Sequence, residues 1–348
     1  MEKKTFNKLL KLLRTRGRLT NGRARTTHSG RTIKIVPGEK LAIYLFVLTG
    51  STNAQTKEAW QHSGSSISKV FHEVIVSIKR CRMDPRLFPT IPDSCPSHIQ
   101  NNTKFYPFFK DCIGALDGTH LPAVVTDAEA DGDATKWRNR KGWISQNVLG
   151  VVDFFGRYTY ALAGWEGSAH DGRVLEHALD DRRFKRPAGK YYLGDAGYEL
   201  CDFCLTPFRG VRYHLKDWDA VGNKPQNYKE LFNLRHSSLR NVVERSYGVV
   251  KKRFPLLVVM HTRRYPIEVQ RDIATTAFAV HSFIISEQKF QDQWEIEWDE
   301  EQAMERSAPA PEGDDNVEDD AVRPQSSAKK LRNKIAKAMW KDYVARSN

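Results

Sequence analysis

The chain has 348 residues, enough for one large domain or two ordinary ones around a well-buried core. Its apolar fraction of 40% and charged fraction of 28% are ordinary for a globular protein, but a net charge of +13 is not, and it points to a polyanionic partner. The longest apolar runs, Leu41–Leu48 and Phe254–Met260, fall far short of the ~20 residues that span a bilayer, and the start MEKKTFNKLLKLLRTRGR has no signal-peptide pattern, so neither a membrane span nor secretion is expected.

Residues 1–40 carry twelve Lys/Arg against Glu2 and Glu39, so residues 1–37 read as a basic, disordered arm for nucleic acid or an import receptor. Three short helices are then expected at Glu39–Leu48, Asn53–Gln61 and Ser65–Ile78. Gly50 and Gly64 stand at the junctions, where a chain leaving a helix needs positive φ, and Ser65 or Ser66 can cap the third helix. Over residues 38–100 this is a helix-turn-helix-like layout, whose last helix would enter a major groove; packing of three helices without DNA contact is the alternative.

From Asp111 the pattern turns to strands. Asp111–Leu116 leads into Asp117, and Val148–Phe154 and Tyr158–Ala163 flank the hairpin signal Phe155-Gly156-Arg157. Asp171–Leu179 is a short helix, Lys190–Leu193 a strand, and Asn227–Arg253 a long helix loosened near His236–Ser238 and ended by Pro255. Three strands, helix, strand, helix is an α/β order with a mixed sheet, the order of RNase H-like nucleases. Residues 287–322 carry fourteen Asp/Glu against Lys289 and Arg306, so 287–326 reads as an acidic, disordered linker. Beyond it, within 327–348, Leu331, Ile335, Met339 and Tyr343 recur four apart, an amphipathic helix that either docks on the main domain or binds a partner. Of five cysteines, Cys201 and Cys204 form a CxxC with no second pair to complete a zinc set, so reduced thiols are expected.

Two acids follow apolar strands beside glycine: Asp117 in GALDGTH and Asp195 in YYLGDAGY. Ligands of α/β sheets gather at such strand ends. Glu244, in NVVERSYGVVKKRF, lies at the margin of a buried helix face. Carboxylates of this kind bind hard cations such as Mg²⁺ or Mn²⁺ through oxygen, and two ions activate a nucleophile and stabilise a leaving oxygen. Lys136, Arg138, Arg140 and Lys141 surround Trp137 and Trp143, a mixture that suits DNA phosphates with an aromatic platform, or a solvated loop with two docking tryptophans. Lys251, Lys252 and Arg253 follow Glu244 and could hold the scissile strand, and His120 and His170 stand near two acids as hydrogen-bond partners.

GALDGTH, RNRKGWISQNVLGVVDFFGRYTYALAGWEGSAHDGRVLEHAL, YYLGDAGY and LFNLRHSSLRNVVERSYGVVKKRF, four blocks in order, resemble the PIF/Harbinger transposase-derived nucleases of the DDE superfamily. The resemblance runs from about residue 38 to 286 and extends to the MWKDY-bearing tail of fungal-looking members. It implies an RNase H-like DDE nuclease domain over 101–286, nuclear location, and metal-dependent DNA cleavage and strand transfer at transposon ends. It further implies a Myb-like DNA-binding partner, and a homo-oligomer is open. The family's acids fall on Asp117, Asp171 (its HD block), Asp195 and Glu244 as catalytic metal ligands, with Val211–Asn227 as an insertion. RNase H-like triads favour Asp195 as the second carboxylate, leaving Asp171 as an extra ligand or a helix cap. The alternative function is a domesticated, non-catalytic DNA-binding or scaffold protein.

Overall fold

The leucines of the N-terminal segment decide its structure. Leu9, Leu12 and Leu13 lie on one side of helix α1 (Lys3–Thr15) and are buried, with Lys and Arg on the other side. The expected disordered arm is therefore corrected over these residues: an apolar stripe with somewhere to pack outweighs the charge around it. The computed structural model describes residues 1–26, 32–91, 95–212, 224–288 and 326–347. The expected acidic linker lies outside the described residues from 289 to 325, as do residues 213–223 of the expected insertion. A small antiparallel pair, β1 (Arg25–Thr26) and β2 (Thr32–Ile33), follows α1.

Helices α2 (Pro37–Leu48), α3 (Asn53–Trp60) and α4 (Gly64–Arg80) form where periodicity places them. Their ends are set by local chemistry. Pro37 opens α2, Thr52 and Gln55 close a reciprocal capping box on α3, and Ser63 rather than Ser65 or Ser66 caps α4. Gly50 takes the positive φ expected of it, whereas Gly64 does not; Gln61 turns the chain instead. The three helices share the core of the rest of the molecule. Tyr44 donates to Thr276 Oγ1 at 2.9 Å, and Lys79 pairs with Asp272 at 2.6 Å.

After α5 (Ser97–Gln100) comes the sheet. Strands β3 (Cys112–Pro122), β4 (Ser145–Val152) and β5 (Tyr158–Glu166) form an antiparallel meander. Helix α6 (Asp171–Leu179) crosses over to β6 (Tyr191–Leu193), which pairs parallel with β3, and β7 (Cys204–Leu205) pairs parallel with β6. The order is β5-β4-β3-β6-β7, a mixed sheet of the RNase H-like kind. Its hairpin turn is held by Asp153, which accepts from the Phe155 and Arg157 amides at 2.9 and 3.0 Å while Gly156 takes φ +75°.

Helix α7 (Tyr228–Arg253) runs unbroken over one sheet face. The loosening expected near His236–Ser238 is absent because His236 is buried and its Nε2 bonds the Leu205 carbonyl at 2.9 Å. Helices α8 (Leu256–Val259) and α9 (Ile267–Glu287) complete that face, with Phe278 stacked on Tyr158 at 4.4 Å. Helix α10 (Ser327–Ser347) docks against α7 through Ile335, Ala336 and Met339, which settles the C-terminal helix as a packed element. Its buried Arg332 lies 4.1 Å over the Phe208 ring and donates to the Pro207 carbonyl at 2.8 Å. Among the described residues no helix is long and apolar enough to cross a membrane.

Candidate active site

Strand β3 does not stop at Asp117, as its sequence suggests. It continues to Pro122, paired residue for residue with β4, and Asp117 lies opposite Gly150. Its parallel pairing with β6, however, ends at Ala115 and Leu193, so Asp117 and Asp195 both emerge just beyond that pair. Alternation along the strand then sorts the side chains. Asp117 and Thr119 face α7, and Gly118 and His120 face α6.

On the α7 side, Arg240, Glu244 and Lys251 recur at helical spacing and share one face. Arg240 donates through Nη1 to Asp117 Oδ2 at 2.8 Å and through Nη2 to Glu244 Oε1, so one guanidinium bridges the strand acid and the helix acid. Lys251 Nζ donates to Thr119 Oγ1 at 2.8 Å. Tyr247 Oη donates to the Asp117 carbonyl at 2.8 Å, which fixes α7 against the strand. That approach requires glycine at 150, since a Cβ there would lie 2.4 Å from Tyr247 Oη.

The charges are coupled. Burial pushes the Asp117 carboxyl up to about 7; Arg240 opposes the rise, and the neighbouring carboxylates of Asp195 and Glu244 add to it. The Asp117 side chain is 15% exposed, whereas that of Glu244 is 46% exposed, more open than the margin position expected for it. Asp195 Oδ1 accepts from the Gly197 amide at 2.9 Å. Burial also lowers the Lys251 ammonium to about 8, with Lys141 adding to the effect.

Asp171 comes to β3 from the other side. A Cβ on Gly118 would lie 2.2 Å from its Oδ1, which accepts from Asn147 Nδ2 at 2.7 Å. It is the first residue of α6, not the cap: His170 holds the cap position. The structure thus brings Asp117, Asp195 and Glu244 into mutual influence and sets Asp171 across the strand from Asp117. His120 Nδ1 lies 3.1 Å from Ser145 Oγ, and Arg140 Nη2 lies 3.3 Å from His170 Nδ1.

The basic loop divides. Lys136, Arg138, Arg140 and Lys141 are exposed, and Trp143 is 37% exposed and edge-on to His120. Trp137 is buried and serves packing. Lys252 is half-buried, but Arg253 is corrected as a DNA contact: it is buried, 2.5 Å from His281 Nδ1, inside the core under α9.

Sequence reasoning missed Arg240, whose position four residues before Glu244 on a helix was the available signal. It also missed Tyr247, three residues after Glu244 on the same helix, and Asn147 and Thr119, which only the register of β3 and β4 brings in. The acids offer oxygen alone, the donor set of Mg²⁺ or Mn²⁺. As folded, Arg240 takes the facing oxygens of two of them, and among the described residues no group of three or more His, Cys, Asp or Glu side chains is arranged to hold a metal ion. The donor chemistry fits a hard cation, and the fit requires Arg240 to move aside.

Residues 116–282 match a family model described as DDE superfamily endonuclease, and residues 1–80 match one described as Domain of unknown function (DUF8040). HARBI1 of Rattus norvegicus, described as a candidate nuclease, is 29% identical over 147 residues, covering 42% of this chain and 37% of that protein. HARBI1 of Mus musculus is 28% identical over 219 residues, covering 62% of this chain and 58% of that protein. The ALP1-like protein of Arabidopsis thaliana is 22% identical over 228 residues, 60% of this chain and 51% of that protein. The chain therefore spans from 37% to 58% of the length of these relatives. No solved structure gives a significant match.

Proposed function

Residues 116–282 are a domain of the DDE superfamily endonucleases, and on that premise we propose that the protein is a divalent-metal-dependent DNA endonuclease of the Harbinger type. It cleaves phosphodiesters at transposon ends and joins strands. The observation that carries this reading is the convergence of Asp117 and Glu244 on one guanidinium, with the Asp195 carboxylate close enough to raise the Asp117 pKa. Carboxylates held this close need a cation among them, a place that Arg240 takes as folded and that a divalent metal would take in its stead.

Asp117, Asp195 and Glu244 would hold Mg²⁺ or Mn²⁺, and Asp171, on the opposite face of β3, would be an outer member of the set. When bound, the metal supplies a Lewis acid that activates the attacking oxygen and neutralises charge on the leaving one. Asp117 must give up its proton to take part, and Arg240 must leave its bridge. The freed guanidinium and Lys251 then present positive charge to the scissile strand. Lys136, Arg138, Arg140 and Lys141 hold flanking phosphates, and Trp143 offers a face for stacking. This reading brings with it nuclear location and a Myb-like partner.

One observation favours the non-catalytic, DNA-binding alternative: Arg240 already neutralises the two acids. A supercoiled-plasmid nicking assay with Mg²⁺, Mn²⁺ or chelator separates them. Wild type nicks only with metal, and Asp117→Asn and Glu244→Gln lose about 10²–10³-fold or more, the scale of removing a group that acts in the transition state. DNA binding by both variants persists. Undiminished nicking by Asp117→Asn, or none by wild type, would reject catalysis through these acids.

A further inference from the structure

Helices α1, α2 and α3 leave an apolar hollow where they meet the end of α9. Phe6 of α1, Ala42, Leu45 and Phe46 of α2 and Trp60 at the end of α3 wall a groove of about 590 Å³, over a floor of Phe254 and Ile284. The wall residues are half-buried and the floor residues buried, while Met1 at the rim is 45% exposed. Phe46 and Trp60 meet edge to face at 6.2 Å, which makes one wall aromatic. An apolar hollow of this size that opens to solvent is a binding surface in search of an occupant.

The course of the chain points to that occupant. Ile284, on the groove floor, stands within one turn of the end of α9, and Glu287 at that end pairs with Lys8 of α1. The last described residue after α9 is Gln288, so the chain departs beside the groove. The next ten residues read KFQDQWEIEW, with Phe290, Trp294, Ile296 and Trp298 interleaved with Asp292, Glu295 and Glu297. Helix α1 carries the complementary charge. Lys4, Lys8 and Lys11 recur at helical spacing on its exposed face, and Lys3 stands one turn before Phe6. Of these four lysines only Lys8 makes an ion pair among the described residues.

We propose that residues 290–298 of the same chain dock in this groove. Phe290, Trp294 and Trp298 meet the walls formed by Phe6, Leu45, Phe46 and Trp60, and Asp292, Glu295 and Glu297 lie along the lysines of α1. A segment tethered at the rim has an effective concentration on the order of millimolar, which a separate protein rarely matches. Apolar residues interrupted by acids suit aromatic walls edged by lysines, whereas DNA would meet the lysines and leave the walls uncovered. On this assignment the lysine face of α1 serves the chain's own carboxylates. The N-terminal helices are then held to α9 through the segment as well as through the shared core.

The test uses the full chain, with and without the triple substitution Phe290→Ala/Trp294→Ala/Trp298→Ala, and a fluorescein-labelled peptide of residues 288–300 followed by anisotropy. The substituted chain should bind the peptide saturably, and wild type about tenfold more weakly or not at all, because its own segment holds the groove. Adding Leu45→Ser on the groove wall, or Lys4→Glu/Lys11→Glu at two exposed positions, should weaken binding to the substituted chain about tenfold or more. Trypsin should also cut after Lys289 about tenfold faster in the substituted chain than in wild type. No saturation in the substituted chain, equal peptide binding by wild type, indifference to the lysine reversal, or equal cleavage would each overturn the proposal. So would a wild-type dimer in sedimentation velocity that the triple substitution disperses, which assigns the segment to the groove of a second copy.

Discussion

Asp117 sets the pH behaviour of the molecule at the scale of one residue. Its carboxyl titrates near 7 in the folded chain, and an unfolded chain releases that proton near 4. Between those values the folded state binds more protons, so its stabilisation is complete below about pH 4 and is lost as pH rises towards 7, by up to ~1.4 kcal/mol per unit. Urea unfolding at pH 5 and pH 7 should show wild type losing more stability over this step than Asp117→Asn; equal losses would place the buried proton elsewhere. If the acids take up a divalent metal as proposed, its binding must expel the same proton. Calorimetry of Mn²⁺ binding in buffers of differing ionisation heat should give about one proton released per ion at pH 6 and almost none at pH 8.5. Heats independent of buffer would contradict a proton on Asp117.

At the scale of the element, α7 is positioned by what β4 lacks. Gly150→Ala puts a Cβ 2.4 Å from Tyr247 Oη and pushes the helix off the Asp117 carbonyl. A loss of about 1–3 kcal/mol in denaturant unfolding is expected, the range of small overpacking changes. Helix α10 acts at the opposite end of α7 and on the segment after β7. Arg332→Ala removes a buried cation from the Phe208 ring and the Pro207 carbonyl, at a cost of about 2 kcal/mol or more. Helices α2, α3, α4 and α6 were legible in the sequence because their signals are local: apolar period, Pro at the start, Ser or Thr caps. The strand beyond Asp117 was not, since Asp117-Gly118 has poor strand propensity and pairing with β4 carries the strand through it. Helix α1 was hidden by averaging, which counted its lysines and arginines and not the side on which its leucines fell. Asp117 and Asp195 were legible as glycine-flanked strand ends; Arg240 stands four residues before Glu244, but its bond to Asp117 shows only once strand and helix meet.

For the whole molecule, the excess charge should govern affinity for DNA. The exposed quartet Lys136, Arg138, Arg140 and Lys141 would each release counterions on binding phosphate. Replacing one with Ala should lower the slope of log affinity against log salt by about 1. An unchanged slope across all four would place the DNA elsewhere. The topology has a further consequence, for the order in which the molecule is assembled. The β3–β4–β5 meander joins neighbours in the chain, whereas Asp195 and Glu244 reach Asp117 only when β6 and α7 close long loops. In pulse-labelled hydrogen exchange during refolding, amides of Leu149–Val151 should gain protection before that of Tyr191, which bonds the Asp111 carbonyl across the β3–β6 junction; simultaneous protection would argue for a single concerted closure. A chain cut short or still emerging thus carries its strands without its centre, and the cluster of acids is completed last.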